Sequence, residues 1–544
     1  WIGCLCGSRR RRARILAGDL VTMDPARPRA HAMAIVGDRI AAVGTREDAQ
    51  AACPPGTRVE HLPGTVVPGL IDAHVHVLIS GLERRRLDVS DAGSVAEVVS
   101  RIARYLDERP GESWVLVAAH FQAEELAERR LPTRHDLDAV TGDRPVVLDR
   151  RTHDAIANTA ALRRAGIDRH APDPPGGRIE RDAAGEPTGV LVERPAAELV
   201  LDHLPPVTDA ERRTALREIQ PVLHGLGITG TAEPGLTAEE LGSYQALWAD
   251  GDLRLRTFAM PLADTDLPAE QAIERLRGSG VRTGFGDAWL RIGGVKVYLD
   301  GTGSFGSALL REPWPGTDGW RGNQTASTET FAAIARFCAT ERWSLAVHTV
   351  GGAAIDLALD TFAAADREAS IADLRFSVMH AYLWPSARNM ADARRLGVLA
   401  SIQPGMQWRV ASALADRLGV DGAARASPLR DWIDAGVTVA GGSDGPDFPL
   451  APLFGMWQAT TRRARGFDEP LGPEQAIGRE QALAMYTTGA ARYCFAEKER
   501  GALRPGLLAD WTSLSEDPTV GDPERLCDAR VLQTALGGTT VFEA

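Results

Sequence analysis

Long apolar runs are missing from this sequence. No stretch approaches the ~18 uninterrupted apolar residues of a membrane span, so no membrane partner is expected. Disulfide spacing is missing as well: six cysteines at 4, 6, 53, 338, 494 and 527 of 544 residues form no framework, and reduced thiols in the cytoplasm follow as the expectation. Cys4 and Cys6 have no cysteine or histidine nearby to complete a metal site. Trp1 to Arg12 carry charges with no apolar run after them. A secretory signal is not expected there, and residues 1–13 read as a tail. Excess positive charge is also absent. With 61 Lys and Arg against 73 Asp and Glu the net charge is −12, which argues against nucleic acid or an anionic membrane as the main partner and leaves a small molecule.

What is present is an ordinary globular composition, 44% hydrophobic and 25% charged, in a chain too long for one simple core. Residues 14–67 and 500–544 hold short apolar segments divided by turn residues, the pattern of hairpins. Neither end is long enough for a stable sandwich alone, so the two are expected to fold together as a small composite β-sandwich.

Between those ends, apolar runs recur with helical patterns between them. Candidate strands lie at Thr65 to Ile71, Gly227 to Glu233, Leu253 to Leu262, Leu290 to Leu299, Ser344 to Val350, Arg375 to Ala381, Val398 to Pro404 and Val437 to Asp444. Eight strands alternating with helices predict an α/β fold, a (β/α)8 TIM barrel over residues 68–499, whose chemistry gathers at the carboxyl ends of its strands. Residues 82–215 are too long for a simple crossover and predict an inserted subdomain over the barrel mouth, where selectivity would be built.

His74 and His76 end the first run. Residues i and i+2 of an extended chain share a side, so the two imidazoles can converge on one metal ion; alone, the pair fits two hydrogen-bonded core histidines equally well. Downstream strand ends change the balance. Lys296 falls on the fourth, His348 on the fifth, His380 on the sixth and Asp444 on the eighth. A lysine pointing into a barrel carries a steep desolvation cost unless neutralised, modified or paired.

At these residues a resemblance becomes visible. Pro68-Gly69-Leu70-Ile71-Asp72-Ala73-His74-Val75-His76 resembles the signature of the amidohydrolase superfamily. Further blocks resemble its YtcJ-like branch, metal-dependent hydrolases that include N-substituted formamide deformylases. These are Leu131-Pro132-Thr133-Arg134 to Leu137-Asp138, Pro172-Asp173-Pro174-Pro175-Gly176-Gly177, Gly185-Glu186-Pro187-Thr188-Gly189-Val190-Leu191 and Gly441-Gly442-Ser443-Asp444-Gly445-Pro446. The resemblance implies His74, His76, Lys296, His348, His380 and Asp444 as ligands of two divalent ions, with zinc expected. It implies carbon dioxide bound as a carbamate on Lys296, and Asp444, Lys296 and His380 as catalytic. The implied reaction is cleavage of a C–N bond, amide or formamide, by a metal-activated hydroxide, with Asp444 moving the proton.

His153 matches a histidine frequent in the branch and is a substrate-binding candidate, as are Tyr298, Asp300 and Gln403. Trp408 and Trp457 are candidates for an aromatic wall. The sequence departs from the branch at Gly351-Gly352, where an acid is usual, and at Ala119-His120-Phe121, where Trp-Asp is usual. Two alternatives stay open: a deaminase of a heterocycle with one metal, for which Glu233 would be the proton shuttle, and a silent binding protein that kept the barrel. Oligomers follow by analogy with such folds only.

Overall fold

The computed structural model describes residues 13–544 except 112, 120, 122, 124, 125, 151–153, 175, 176 and 193. Cys4, Cys6, His120 and His153 therefore lie outside the described residues. The chain divides into two compact units, residues 78–215 and the remainder. Among the described residues no helix is long and apolar enough to cross a membrane.

In the larger unit the chain ends share one seven-stranded sheet. Val59–Pro68 runs through its middle, antiparallel to Trp511–Leu514 and parallel to Ala13–Val21. Strand alternation divides the side chains between two faces. Leu16, Met33, Ile35, Val66 and Trp511 pack together on one, while Ile15, Ala32 and Ala34 meet Ala49 of the helix Arg46–Ala51 on the other. The strands of the two chain ends thus share one continuous sheet, and the short helix Arg46–Ala51 packs on part of its second face. At its far edge Gly537 and Gly538, both at positive φ, close the two-residue hairpin between Val531–Leu536 and Thr539–Glu543.

The expected alternation of strands and helices appears as two all-parallel sheets. One has four strands, in the order Leu290–Ile292, Arg256–Pro261, Ile228–Leu236, Leu70–Asp72. The other has five, Val295–Tyr298, Leu345–Gly351, Ser377–Leu383, Leu399–Ile402, Val439–Gly441. The fourth expected strand is broken in two. Gly293 and Gly294 are the break, and a Cβ on either would strike Phe258 and Met260 or Ser344 at under 3.0 Å. Backbone bonds link the sheets at both edges: Ala263 N to Lys296 O at 2.9 Å, and Ala73 N to Gly441 O at 2.9 Å.

Large apolar side chains pack between the strands and helices such as Thr328–Thr340 and Gly352–Glu368, where Phe331, Ile334 and Phe362 meet Val295, Val297 and Val347. The opposite face is narrower and holds Ile71, Ala232, Phe258, Ala346, Met379 and Ala440. Small residues there leave room for the polar side chains at the strand ends.

The smaller unit has a six-stranded mixed sheet. Its Leu131-Pro132-Thr133-Arg134 block is a helix start, with Thr133 and Asp136 in a capping box. Asp138 then accepts from Thr159 N at 2.9 Å and Thr159 Oγ1 at 2.5 Å, tying one helix to the next.

One buried ion pair ties the end strands to the parallel sheets. Asp510 receives Arg256 Nε at 2.6 Å and Nη2 at 2.9 Å, and also Gly537 N at 2.8 Å. Replacing Asp510 by Ala strands a buried guanidinium, so a loss of about 3–5 kcal/mol is expected, read as a lowered midpoint in urea against wild type.

Candidate metal centre

Of the ligand-type side chains singled out by position, His74 and His76 follow the strand Leu70–Asp72 and Asp444 follows Val439–Gly441, whereas Lys296, His348 and His380 lie within Val295–Tyr298, Leu345–Gly351 and Ser377–Leu383. His74 and Asp444 come from opposite ends of the chain, and backbone geometry brings them together. Asp444 N donates to His74 O at 2.7 Å, and His76 N donates to Gly445 O at 2.9 Å. Gly442 permits this approach, because a Cβ there would meet His74 N and Cβ at 2.7 Å. Asp444 itself is at φ +57°, a conformation a non-glycine residue keeps only where its surroundings hold it.

The result is a tight donor set. Nε2 of His74 is 3.2 Å and Nε2 of His76 is 3.4 Å from Oδ1 of Asp444. The ligand atoms of these three residues lie within 4.8 Å of one another. His380 follows at one remove, with Nδ1 4.0 Å from Asp444 Oδ2 and its ring 4.9 Å from that of His74. The ring of His348 is 4.5 Å from that of His380.

Hydrogen bonds select which nitrogen each of the outer histidines can offer. Nδ1 of His380 donates to Gln403 Oε1 at 2.8 Å, and Gln403 Nε2 in turn donates to Ser401 Oγ at 3.2 Å. His380 Nε2 is left as the lone pair. Nε2 of His348 faces Gly301 O at 3.3 Å, which leaves Nδ1. Gln403, a substrate candidate by sequence, here holds a histidine.

Burial sets the charges. It drives His74 down to about 4 and His348 down to about 3, and pushes His380 well below its ordinary value. Asp444 behaves oppositely: burial pushes it up, but the charge and hydrogen bonds of His74 and His76 outweigh that and hold it well below the carboxylate range. Burial lowers His76, and the Asp444 carboxylate more than restores it. The neutral imidazoles of His74, His348 and His380 near an ionised carboxylate are the chemistry of a divalent-metal site. Nδ1 of His74 is buried with no hydrogen-bond partner among the described residues.

Lys296 reaches the same cluster from the fourth strand position. It is 1% exposed, its Nζ lies 2.8 Å from the thioether of Met379 and 4.6 Å from the ring centroid of Tyr298, and among the described residues it makes no ion pair. Burial brings its pKa down to about 7.

The remaining candidates divide. Tyr298 stands beside His348, ring to ring at 5.3 Å, and is partly exposed. Asp300 is buried, and its carboxylate accepts from Val350 N at 2.8 Å, Gly351 N at 2.8 Å and Leu309 N at 2.9 Å. It braces a loop. That loop explains the glycines after His348, since a Cβ on Gly351 would meet Leu309 O at 2.1 Å. Trp408 and Trp457 sandwich Phe454, each 5.2 Å away, with Trp457 bonded to Glu524. Their contacts are those of packing.

Asp72 was not singled out, although it sits inside the first motif. Its Oδ1 accepts from His74 N at 3.1 Å and Ser443 N at 3.0 Å, joining the first strand to the eighth. Glu233 accepts from Val77 N at 2.8 Å and Tyr244 Oη at 2.7 Å, which fixes the carboxylate beside the His74–His76 turn. Its position at the end of the second strand was the available signal.

Comparison with known proteins follows the same lines. The sequence profile of the amidohydrolase family matches residues 64–542. The chain is 30% identical over 500 residues to the putative amidohydrolase YtcJ of Bacillus subtilis (strain 168), covering 90% of this chain and 91% of that one. It is 30% identical over 548 residues to an N-substituted formamide deformylase of Arthrobacter pascens, covering 97% and 98%. Among solved structures, an uncharacterized metal-dependent hydrolase from Pyrococcus horikoshii OT3 superposes with a TM-score of 0.75 at 22% identity, over 94% of this chain and 99% of that chain.

Two measurements test the geometry. Gln403→Leu frees the His380 ring and is expected to weaken divalent-ion affinity about 10–100-fold, read by equilibrium dialysis. For Lys296 the folded pKa is depressed, so an unfolded chain takes up a proton that the folded one does not. Stability of chelator-treated protein is expected to fall as pH drops from 10.5 to about 7, and Lys296→Met is expected to abolish that dependence in thermal unfolding.

Proposed function

The chain belongs to the amidohydrolase family, and from that premise we propose that it is a metal-dependent hydrolase cleaving the carbon–nitrogen bond of an amide, formamide or related small molecule. The observation that carries this reading is the convergence of His74 and His76 on one oxygen of Asp444. The proposed fold is a distorted (β/α)8 barrel. Its two arcs are joined by the edge hydrogen bonds, with Gly293-Gly294 interrupting the fourth strand.

In this reading His74, His76 and Asp444 hold one divalent ion, proposed as zinc. Lys296, His348 and His380 supply a second. A divalent ion in such a site lowers the pKa of water toward neutrality and polarises a carbonyl. The protein's own residues do the rest. Asp444, kept anionic, takes the proton of the attacking water and delivers it to the leaving amine. His380, its Nδ1 held by Gln403, keeps the Nε2 lone pair free for the second ion. Lys296, with a pKa of about 7, is available in substantial part as free amine near neutral pH. A free amine is what carbon dioxide requires: the nitrogen adds to the carbon, a proton leaves, and an anionic carbamate replaces a buried ammonium.

A second reading, a one-ion deaminase, rests on Glu233, whose buried carboxylate acts electrostatically on His76. The two readings separate by metal count and turnover. The two-ion reading expects two equivalents by elemental analysis and an added carbon dioxide mass on Lys296. It is abandoned if one ion and an unmodified lysine are found. Metal-loaded protein is to be screened against amides, formamides, carbamates, lactams and aminoheterocycles, with amide or formamide hydrolysis expected. Turnover confined to aminoheterocycles favours the deaminase. Asp444→Asn is expected to lower kcat by about 10²–10⁴-fold, and Lys296→Ala to lose activity and metal with partial rescue by short carboxylic acids.

A further inference from the structure

Lysine is nearly absent from this chain: of its 61 Lys and Arg residues, two are lysines, Lys296 and Lys498. Lys498 is exposed, whereas Lys296 is 1% exposed. An electrophile that attacks lysine amines therefore has two targets, one on the surface and one in the candidate metal centre.

What closes Lys296 in is built from a few neighbours. Residues i and i+2 of a strand share a face, so within Val295–Tyr298 the ring of Tyr298 stands on the same side as the lysine. Nζ lies under that ring, 4.6 Å from its centroid, and 2.8 Å from the thioether of Met379, which is fully buried on Ser377–Leu383. Gly235, at the end of Ile228–Leu236, makes a third wall. A Cβ there would lie 3.8 Å from Lys296 Cγ and 3.5 Å from the Tyr298 hydroxyl. The tyrosine thus reaches from the fourth strand to the end of the second, across the lysine, and is itself 37% exposed. The lysine is hidden, and its cover is not.

This cover bears on the exchange of carbon dioxide. In carbamate formation Nζ adds to the carbon of carbon dioxide and loses a proton; on reversal a proton returns to Nζ and the N–C bond breaks. Either direction needs a small molecule to pass the ring. We propose that the Tyr298 ring is the shutter of the Lys296 pocket, setting how fast carbon dioxide enters and leaves it; this rests on the carbamate reading of Lys296.

Cyanate tests the shutter without the carbamate. Isocyanic acid has the size and shape of carbon dioxide, and an amine adds to its carbon while a proton passes to its nitrogen, leaving a stable urea. In protein stripped of metal by chelator and of carbon dioxide by purging, peptide mass spectrometry reads the rate at Lys296 against that at Lys498, the internal standard. A covered group reacts only while its cover is open, so Tyr298→Ala is expected to raise this ratio about 10-fold or more. Tyr298→Leu, too short to reach Gly235, is expected to do the same and replaces the alanine variant if that one misfolds. Tyr298→Phe keeps the ring and is expected to match the wild type. A ratio unchanged in the Ala and Leu variants, or raised as much by Phe, overturns the proposal, as does a wild-type Lys296 that reacts as fast as Lys498. Separately, protein equilibrated with isotopically labelled bicarbonate is expected to show a carbamate carbon by NMR that exchanges faster in Tyr298→Ala. No carbamate in the wild type ends the carbamate reading and this proposal with it; a carbamate that exchanges equally fast in both ends the shutter alone.

Discussion

One carboxylate oxygen reached by two imidazoles is the contact on which this molecule depends. Oδ1 of Asp444 lies 3.2 and 3.4 Å from Nε2 of His74 and His76, yet the segments that carry them are some 370 positions apart; Asp72 and Ser443, which bond alongside, are 371 apart. Bringing them together costs loop-closure entropy and a strained backbone at Asp444. A layered set of contacts offsets that cost. Asp444 N meets His74 O, Ser443 N meets Asp72 Oδ1, His76 N meets Gly445 O, and Gly442 gives the space in which the two strands approach.

The same contact governs the charges around it. Three histidines are driven neutral by burial, and one carboxylate is kept ionised by two of the rings it faces. Neutral rings at His74, His348 and His380 beside the Asp444 carboxylate favour a cation, whereas His76 gives up its proton to bind one. Asp72 shows the cost of the arrangement. Burial raises it to about 7, and Oδ2 is buried without a partner among the described residues while Oδ1 takes two backbone amides. It serves as a brace between strands.

Much of this was legible in the sequence for a simple reason. Parallel strands buried on both faces read as apolar runs, and polar residues at their carboxyl ends stand out against them. His74, His76, Lys296, His348, His380 and Asp444 all carried that signal. What escaped was fixed by tertiary contact. The break at Gly293-Gly294 comes from Phe258, Met260 and Ser344, which are distant in sequence. The bonds of Gln403 to His380 and of Asp300 to three backbone amides were not legible, because a buried polar group bonds to whatever the fold places nearest. The helix carrying Ala49 was not legible either; it packs where the second face of the strand Arg29–Val36 is narrow, at Ala32 and Ala34.

Two buried cations, at opposite ends of the parallel strands, show why residue type matters more than charge. Lys296 has a thioether and an aromatic ring for neighbours, and it adapts by lowering its pKa to about 7, which exposes a nucleophilic amine. Arginine in that place would stay charged and would repel a metal. Arg500 is in the reverse position. Its burial lowers its pKa too, but from 12.5, so it remains a cation at any physiological pH. A lysine at 500 could shed its proton and ask for nothing. An arginine there keeps its charge, and the carboxylates of Asp287, Glu499 and Asp510 stand with Arg256, Arg291 and Arg500 at these strand ends to balance it.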